Sequence, residues 1–217
     1  MDIKFIGHAS FFIKAKDARL VTDPYDPSAV GMKFPKIEAD IVTVSHTHPD
    51  HNYVTGVSGT PLVIDLPGEF EKNGMRIYGY STFHDKNKGQ ERGENTVYKV
   101  EAEGINVLHC GDLGHVFDDA LIEEIGDVDI LLVPVGGFFT IDAADAVELA
   151  KKLEPAVIIP MHYNIPGLNQ KVFAQLAAVT DFLKKMGQES ITSVPKLTVK
   201  KESLTEEMKV VVMEMGG

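Results

Sequence analysis

An α/β fold with mixed strands is predicted by three observations. Apolar and β-branched runs of strand length fill the first half of the chain, strand and helix patterns alternate through the second, and a late helix with one apolar face can cover a sheet. In order, strands are expected over residues 4–15, 20–22, 41–44, 62–65, 75–80, 97–101 and 105–109. The clearest is Asp40-Ile41-Val42-Thr43-Val44, a β-branched run of the kind buried in sheets. Residues 118–125 then read as a short helix and 129–135 as a buried strand. Residues 143–153 read as a helix capped by Asp142, whose carboxylate can accept from unpaired first-turn N–H groups. A strand is expected over 156–160 and a last helix over 171–186, with Val172, Phe173, Leu176, Val179, Leu183 and Met186 on one face and Gly187 as its stop. Strands over 197–200 and 209–213 complete the order.

The 217 residues, 44% hydrophobic, suffice for one two-layered domain, and no low-complexity tract or tandem repeat divides residues 1–217. Lys plus Arg number 21 against 32 Asp plus Glu, and a net charge of -11 lacks the electrostatic footprint of nonspecific nucleic-acid binding. No nucleic-acid partner is expected. The Lys-containing segments near 84–92 and 184–201 are interleaved with acids and read as solvated surface. The N-terminus has no apolar run long enough for a signal or a bilayer span, and Cys110 is the single cysteine, so the expectation is a soluble cytoplasmic protein without membrane partner or internal disulfide. Cys110 itself reads as a small buried hydrophobe.

The chemistry concentrates in Val44-Ser45-His46-Thr47-His48-Pro49-Asp50-His51-Asn52. Three of only eight His stand here around one Asp, and imidazole nitrogen and carboxylate oxygen are the donors that borderline divalent metals prefer. The cluster follows the 41–44 run, at a strand's carboxyl end. If the chain stays extended, His46 and His48 point the same way, while Asp50 and His51 diverge toward a second ion. Other donors also follow apolar runs: His84 after 75–80, Asp112 after 105–110, and His162 after 157–160. Asp112 lies between Gly111 and Gly114, which let backbone approach closely, and a carboxylate there can bridge two ions. His8 beside Gly7 can approach the metals or hold a carboxylate, and Asp23 can orient a ligand imidazole. His115 is a candidate proton donor or anion-binding group. His109 is set aside, because its odd separation from Asp112 turns it away in a regular strand.

H-x-H-x-D-H at 46–51, His84, Gly111-Asp112 and His162, in that order, resemble the metallo-β-lactamase fold superfamily along nearly the whole chain. More narrowly, Gly7-His8-Ala9-Ser10, Thr22-Asp23-Pro24, Gly111-Asp112-Leu113-Gly114-His115 and Pro160-Met161-His162-Tyr163-Asn164 resemble a small branch related to ascorbate 6-phosphate lactonases. The resemblance implies a four-layer αββα sandwich. It also implies one metal on His46, His48 and His84, a second on Asp50, His51 and His162, and Asp112 bridging them. Two divalent ions per chain are expected, zinc first, with Mn, Ni, Fe or Co as alternatives. Such ions with two carboxylates would retain about +2, enough to lower the pKa of bound water from 15.7 to roughly 7.

The expected function is metal-dependent hydrolysis of an ester, lactone, amide or phosphoester bond in a small, optionally anionic, molecule. Asp50, Asp112 and His115 are the expected catalytic groups. The competing readings are a mononuclear iron oxygenase acting on a thiol or persulfide, and a nuclease or phosphodiesterase. Against the nuclease stand the acidic charge and the lack of a large inserted domain.

Overall fold

The apolar runs pair into two main sheets in a computed structural model that describes residues 1–216; Gly217, the end of the expected domain, lies outside the described residues. The first sheet contains β1 (Asp2–Gly7), β2 (Ser10–Lys14), β3 (Arg19–Thr22), β5 (Ile41–Thr43), β7 (Leu62–Ile64) and β14 (Leu197–Thr198), ordered β14-β1-β2-β3-β5-β7. The second contains β8 (Gly68–Lys72), β9 (Met75–Phe83), β10 (Glu94–Ala102), β11 (Ile105–His109), β12 (Ile130–Pro134), β13 (Val157–Met161) and β15 (Lys209–Val210), ordered β15-β13-β12-β11-β10-β9-β8. Both are mixed: β3, β5 and β7 run parallel, as do β11, β12, β13 and β15, and the other neighbours pair antiparallel. A two-stranded piece, β4 (Ile37–Glu38) with β6 (Val57–Ser58), lies apart.

Alternation along the strands explains the layers. Leu20 and Ile41 join the core shared with the second sheet, whereas Val21 and Val42 on the opposite face join a separate cluster with Tyr25, Val30, Leu168 and Phe173. Tyr98 ties the sheets together, its buried hydroxyl reaching the Val44 and Ile64 carbonyl oxygens at 3.1 and 3.2 Å. Outside, α2 (Asp119–Ile125), α3 (Ala143–Leu153) and α5 (Val179–Lys185) contribute apolar side chains to the main core. The other outer layer is reduced to α1 (Pro27–Val30), α4 (Gln170–Phe173) and loops. This is the αββα arrangement that the resemblance implied.

Several expected boundaries move for identifiable reasons. The strand expected over 4–15 is two antiparallel strands, turned at His8 and Ala9, with His8 at φ 57°. The helix expected over 171–186 is broken into α4 and α5, because Ala177 spends its backbone elsewhere: its N–H donates to Gly136 at 2.8 Å and its carbonyl accepts from Asn164 at 2.9 Å. Val172, expected on the apolar face, is instead 47% exposed. The expected strand 156–160 sits one residue later, and the closing strands are shorter than expected. β8 was not anticipated, since Gly-Glu-Phe-Glu-Lys is a polar edge strand with little apolar signal.

The strands' carboxyl ends gather the functional side chains. His8 follows β1, Asp23 follows β3, His46 follows β5, His84 follows β9, Asp112 follows β11 and His162 follows β13. Gly114 lets the Asp112 loop lie on the His84 segment, because a Cβ there would collide with backbone atoms of His84 and Asp85. Gly114→Ala is therefore expected to cost roughly 1–3 kcal/mol of unfolding free energy. Urea denaturation of metal-free protein checks this, and an unchanged midpoint would mean that the two segments separate freely.

Candidate metal centre

The bend after β5 brings the first donors together in a way that alternation does not describe. The chain is not extended over residues 45–48, yet His46 Nε2 and His48 Nδ1 come within 3.0 Å by presenting different ring nitrogens. His84 completes this group, and a second group contains His8, Asp50, His51 and His162; within each, one donor atom per residue lies inside a 4.8 Å sphere of mutual distances. Asp112 stands between the two groups. Its Oδ2 is 3.2 Å from His84 Nε2 and 3.2 Å from His162 Nε2, and its Oδ1 is 3.3 Å from His51 Nε2.

Hydrogen bonding sets the ring tautomers. Asp23, fully buried, accepts from the Ser45 N–H at 2.7 Å, the Ser45 hydroxyl at 2.6 Å and His51 Nδ1 at 2.8 Å. Since the Ser45 proton goes to Asp23, the 2.9 Å contact between Ser45 Oγ and His46 Nδ1 requires the imidazole to donate. His46 therefore turns an Nε2 lone pair inward, and the Asp23 contact at Nδ1 leaves His51 Nε2 facing inward as well. On the other side, Asn95 Oδ1 accepts from the Asp112 N–H at 3.0 Å, and Asn95 Nδ2 donates to Thr82 Oγ1 and the Cys110 carbonyl. Gly111, at φ 54°, is needed beside it: a Cβ there would stand 2.5 Å from both Asn95 Oδ1 and Ser45 Cβ.

Burial and charge act in opposite directions across the site. Desolvation, reinforced by the neighbouring His162, pushes His8 down to about 4, and desolvation pushes His46 down to about 3, so both rings stay neutral near pH 7. For His51, desolvation is outweighed by the charges of Asp112 and Asp50, which hold its pKa well above the ordinary value. Burial would raise Asp112, but the adjacent His162 and His51 hold it well below the usual carboxylate range. Divalent cations fit this donor set, because His51 Nε2, His162 Nε2 and Asp112 Oδ1 are buried donor or acceptor atoms left without a hydrogen-bond partner.

Two expectations need refinement and one needs correction. His8 Nε2 lies 3.0 Å from Asp50 Oδ2, and since an ionised carboxylate can only accept, His8 donates there. It holds Asp50 in place. His109, set aside from the sequence, sits below the site and donates from Nε2 to the Ala9 carbonyl at 2.8 Å. His115 is not brought to the site. Its Nδ1 faces the Val116 carbonyl at 3.0 Å and its Nε2 accepts from the Phe83 N–H at 3.3 Å, leaving neither nitrogen for substrate. Ser45, Asn95 and Asp85 escaped the sequence reading. Asp85 directly follows His84 and accepts from the backbone N–H groups of Asn87, Gly89, Glu91 and Arg92 at 2.7 to 3.0 Å.

A cavity of about 560 Å³ opens above the donors, lined by His48, Asp50, His84 and Asp112 on its floor. Phe139, Phe173, Val172 and Ala29 supply apolar walls, and Arg92, Glu91, Ser28 and Asn169 supply polar ones. No helix among the described residues is long and apolar enough to cross a membrane.

A beta-lactamase superfamily domain matches residues 2–162, and the chain belongs to that superfamily. A metal-dependent hydrolase from Carboxydothermus hydrogenoformans is 33% identical over 193 residues, covering 76% of this chain and 85% of its own. A second from Thermoplasma volcanium is 31% identical over 193 residues, with 76% and 85% covered. Among solved structures, one from Thermotoga maritima, described as a candidate Zn-dependent hydrolase of the metallo-beta-lactamase superfamily, aligns with a TM-score of 0.79 at 41% identity, covering 98% of this chain and 97% of that one.

Asp112→Ala is expected to lower metal content in both donor groups, whereas Asp23→Ala should weaken binding by roughly 10–100-fold without changing stoichiometry at saturation. Chelator competition with elemental analysis distinguishes the two patterns. The metal-free protein should lose stability as pH falls from about 6.5 toward 4, because His8 and His46 bind protons in the unfolded chain before the folded one. Denaturation midpoints across that range give the sign directly.

Proposed function

We propose that this protein is a metal-dependent hydrolase acting on an ester, lactone, amide or phosphoester bond of a small molecule, with two divalent ions, zinc foremost. The observation that carries the reading is Asp112: one of its oxygens lies 3.2 Å from a ring nitrogen of each donor group, beneath an open cavity. Bound in these groups, divalent ions would supply Lewis acidity and a water acidic enough to yield hydroxide near pH 7. The chain's own residues prepare that chemistry. Asp23 and Ser45 keep Nε2 of His51 and His46 aimed inward, His8 holds one Asp50 oxygen, and Asn95 fastens the backbone at Asp112.

Phe139 and Phe173 exclude water from one wall, which strengthens electrostatic interactions with a reacting group on the floor. The cavity's size suits a small-molecule partner rather than a polymer. The proposed compartment is the cytoplasm, where the lone buried thiol of Cys110 requires no partner.

Metal-loaded protein is expected to hydrolyse members of a panel of lactones, activated esters and phosphodiesters, with the low-pH limb of kcat/KM giving an apparent pKa of about 6–8. Chelation should abolish turnover, and His48→Ala should lower it by roughly a hundredfold or more while most of the fold survives. A fully metallated protein that hydrolyses nothing in the panel, while its iron form consumes oxygen with a thiol, would overturn the reading.

A further inference from the structure

The cavity contains a cation whose donors are unused. Arg92 lines it together with His48, Asp50, His84 and Asp112, and among the described residues its guanidinium makes no hydrogen bond. Its nearest carboxylate is Glu91, with Oε2 3.7 Å from Nη1, beyond hydrogen-bond length, and the other Glu91 oxygen is engaged by Asn87 Nδ2. The guanidinium carbon lies 5.9 Å from the Phe139 ring centroid. A guanidinium above an aromatic face keeps its edge donors available for a planar fork onto an oxyanion.

The backbone carrying Arg92 is also held. The Asp85 carboxylate, 5% exposed, accepts the Arg92 N–H at 2.8 Å along with three other N–H groups of the same loop. The clamp begins one residue after His84, so the loop is registered directly against the donor groups. Phe139 links the two regions, its ring centroid lying 6.4 Å from that of His162 as well. A small molecule can thus reach from the donor floor to Arg92 along an aromatic wall.

We propose that Arg92 forms a subsite for an oxyanion group, carboxylate or phosphate, borne by the substrate away from the scissile bond, with the substrate's apolar part against Phe139 and Phe173. This rests on the hydrolase reading for the bond that is broken. Among the described residues lining the cavity Arg92 is the one Lys or Arg, and the neighbouring Glu91 already has one oxygen engaged by Asn87. An arriving oxyanion needs to break no existing hydrogen bond of Arg92.

The test compares mono-4-nitrophenyl succinate with its methyl ester on metal-loaded wild type, Arg92→Gln and Arg92→Lys. The ratio of kcat/KM for the anionic over the neutral ester should fall by about tenfold or more in Arg92→Gln, chiefly through KM, and recover in part in Arg92→Lys. Calorimetry with succinate and phenyl phosphate on the same proteins reads binding without turnover, and the tighter probe identifies the favoured oxyanion. Weaker binding to Arg92→Gln supports the subsite even if neither ester is hydrolysed, an outcome that would sink only the hydrolase reading. Equal ester ratios, equal affinities, or no binding of either anion to wild type would overturn the subsite, provided the melting temperatures of the variants match.

Discussion

Two buried carboxylates, Asp23 and Asp112, impose the constraint on which the surrounding structure depends. A carboxylate withdrawn from water without partners costs several kcal/mol, so each must be surrounded by donors or by cations. Asp23 is satisfied within the protein, by the Ser45 backbone and hydroxyl and by His51. Asp112 is satisfied only in part: ring nitrogens of His51, His84 and His162 surround it, and one of its oxygens has no hydrogen-bond partner. The first carboxylate aligns the rings. The second makes their meeting point attractive to positive charge.

Supporting that arrangement requires backbone conformations that most side chains avoid. His8, Asp23 and His162 all have positive φ, at 57°, 37° and 51°, and such left-handed positions typically cost about 1–3 kcal/mol each. The cost is offset by bonds that the same turns make possible. The His162 N–H donates to the His8 carbonyl at 2.8 Å, joining the turn after β1 to the end of β13, and the Asp23 N–H donates to Thr43 at 2.8 Å. Those links cross between the two sheets and between neighbouring parallel strands, so the donor positions are set by packing of the whole sandwich rather than by one loop.

The donor groups and the cavity walls therefore come from different parts of the fold. The donor floor is built from strand ends anchored in both sheets, whereas the cavity walls come from the clamped loop at 85–92, Phe139 and the short α4. Breaking the expected long helix is what brings Phe173 and Val172 to the cavity. The relatives from Carboxydothermus and Thermoplasma are about a third identical to this chain.

By itself the sequence determined the α/β class and most strand positions, because β-branched runs and period-two burial are local properties that pairing only reinforces. It also marked His46, His48, Asp50, His51, His84, Asp112 and His162 as candidate metal donors, since their residue types and places after apolar runs are visible without coordinates. Only the tertiary structure decided what depends on distant backbone. The bend that pairs Nε2 of His46 with Nδ1 of His48, the use of both His115 nitrogens by Phe83 and Val116, and the split of residues 171–186 by hydrogen bonds from Ala177 are of this kind. Ser45, Asn95 and Asp85 belong with them: each is a common polar residue in sequence, and its role arises from partners brought within hydrogen-bond distance when the strand ends and their loops come together.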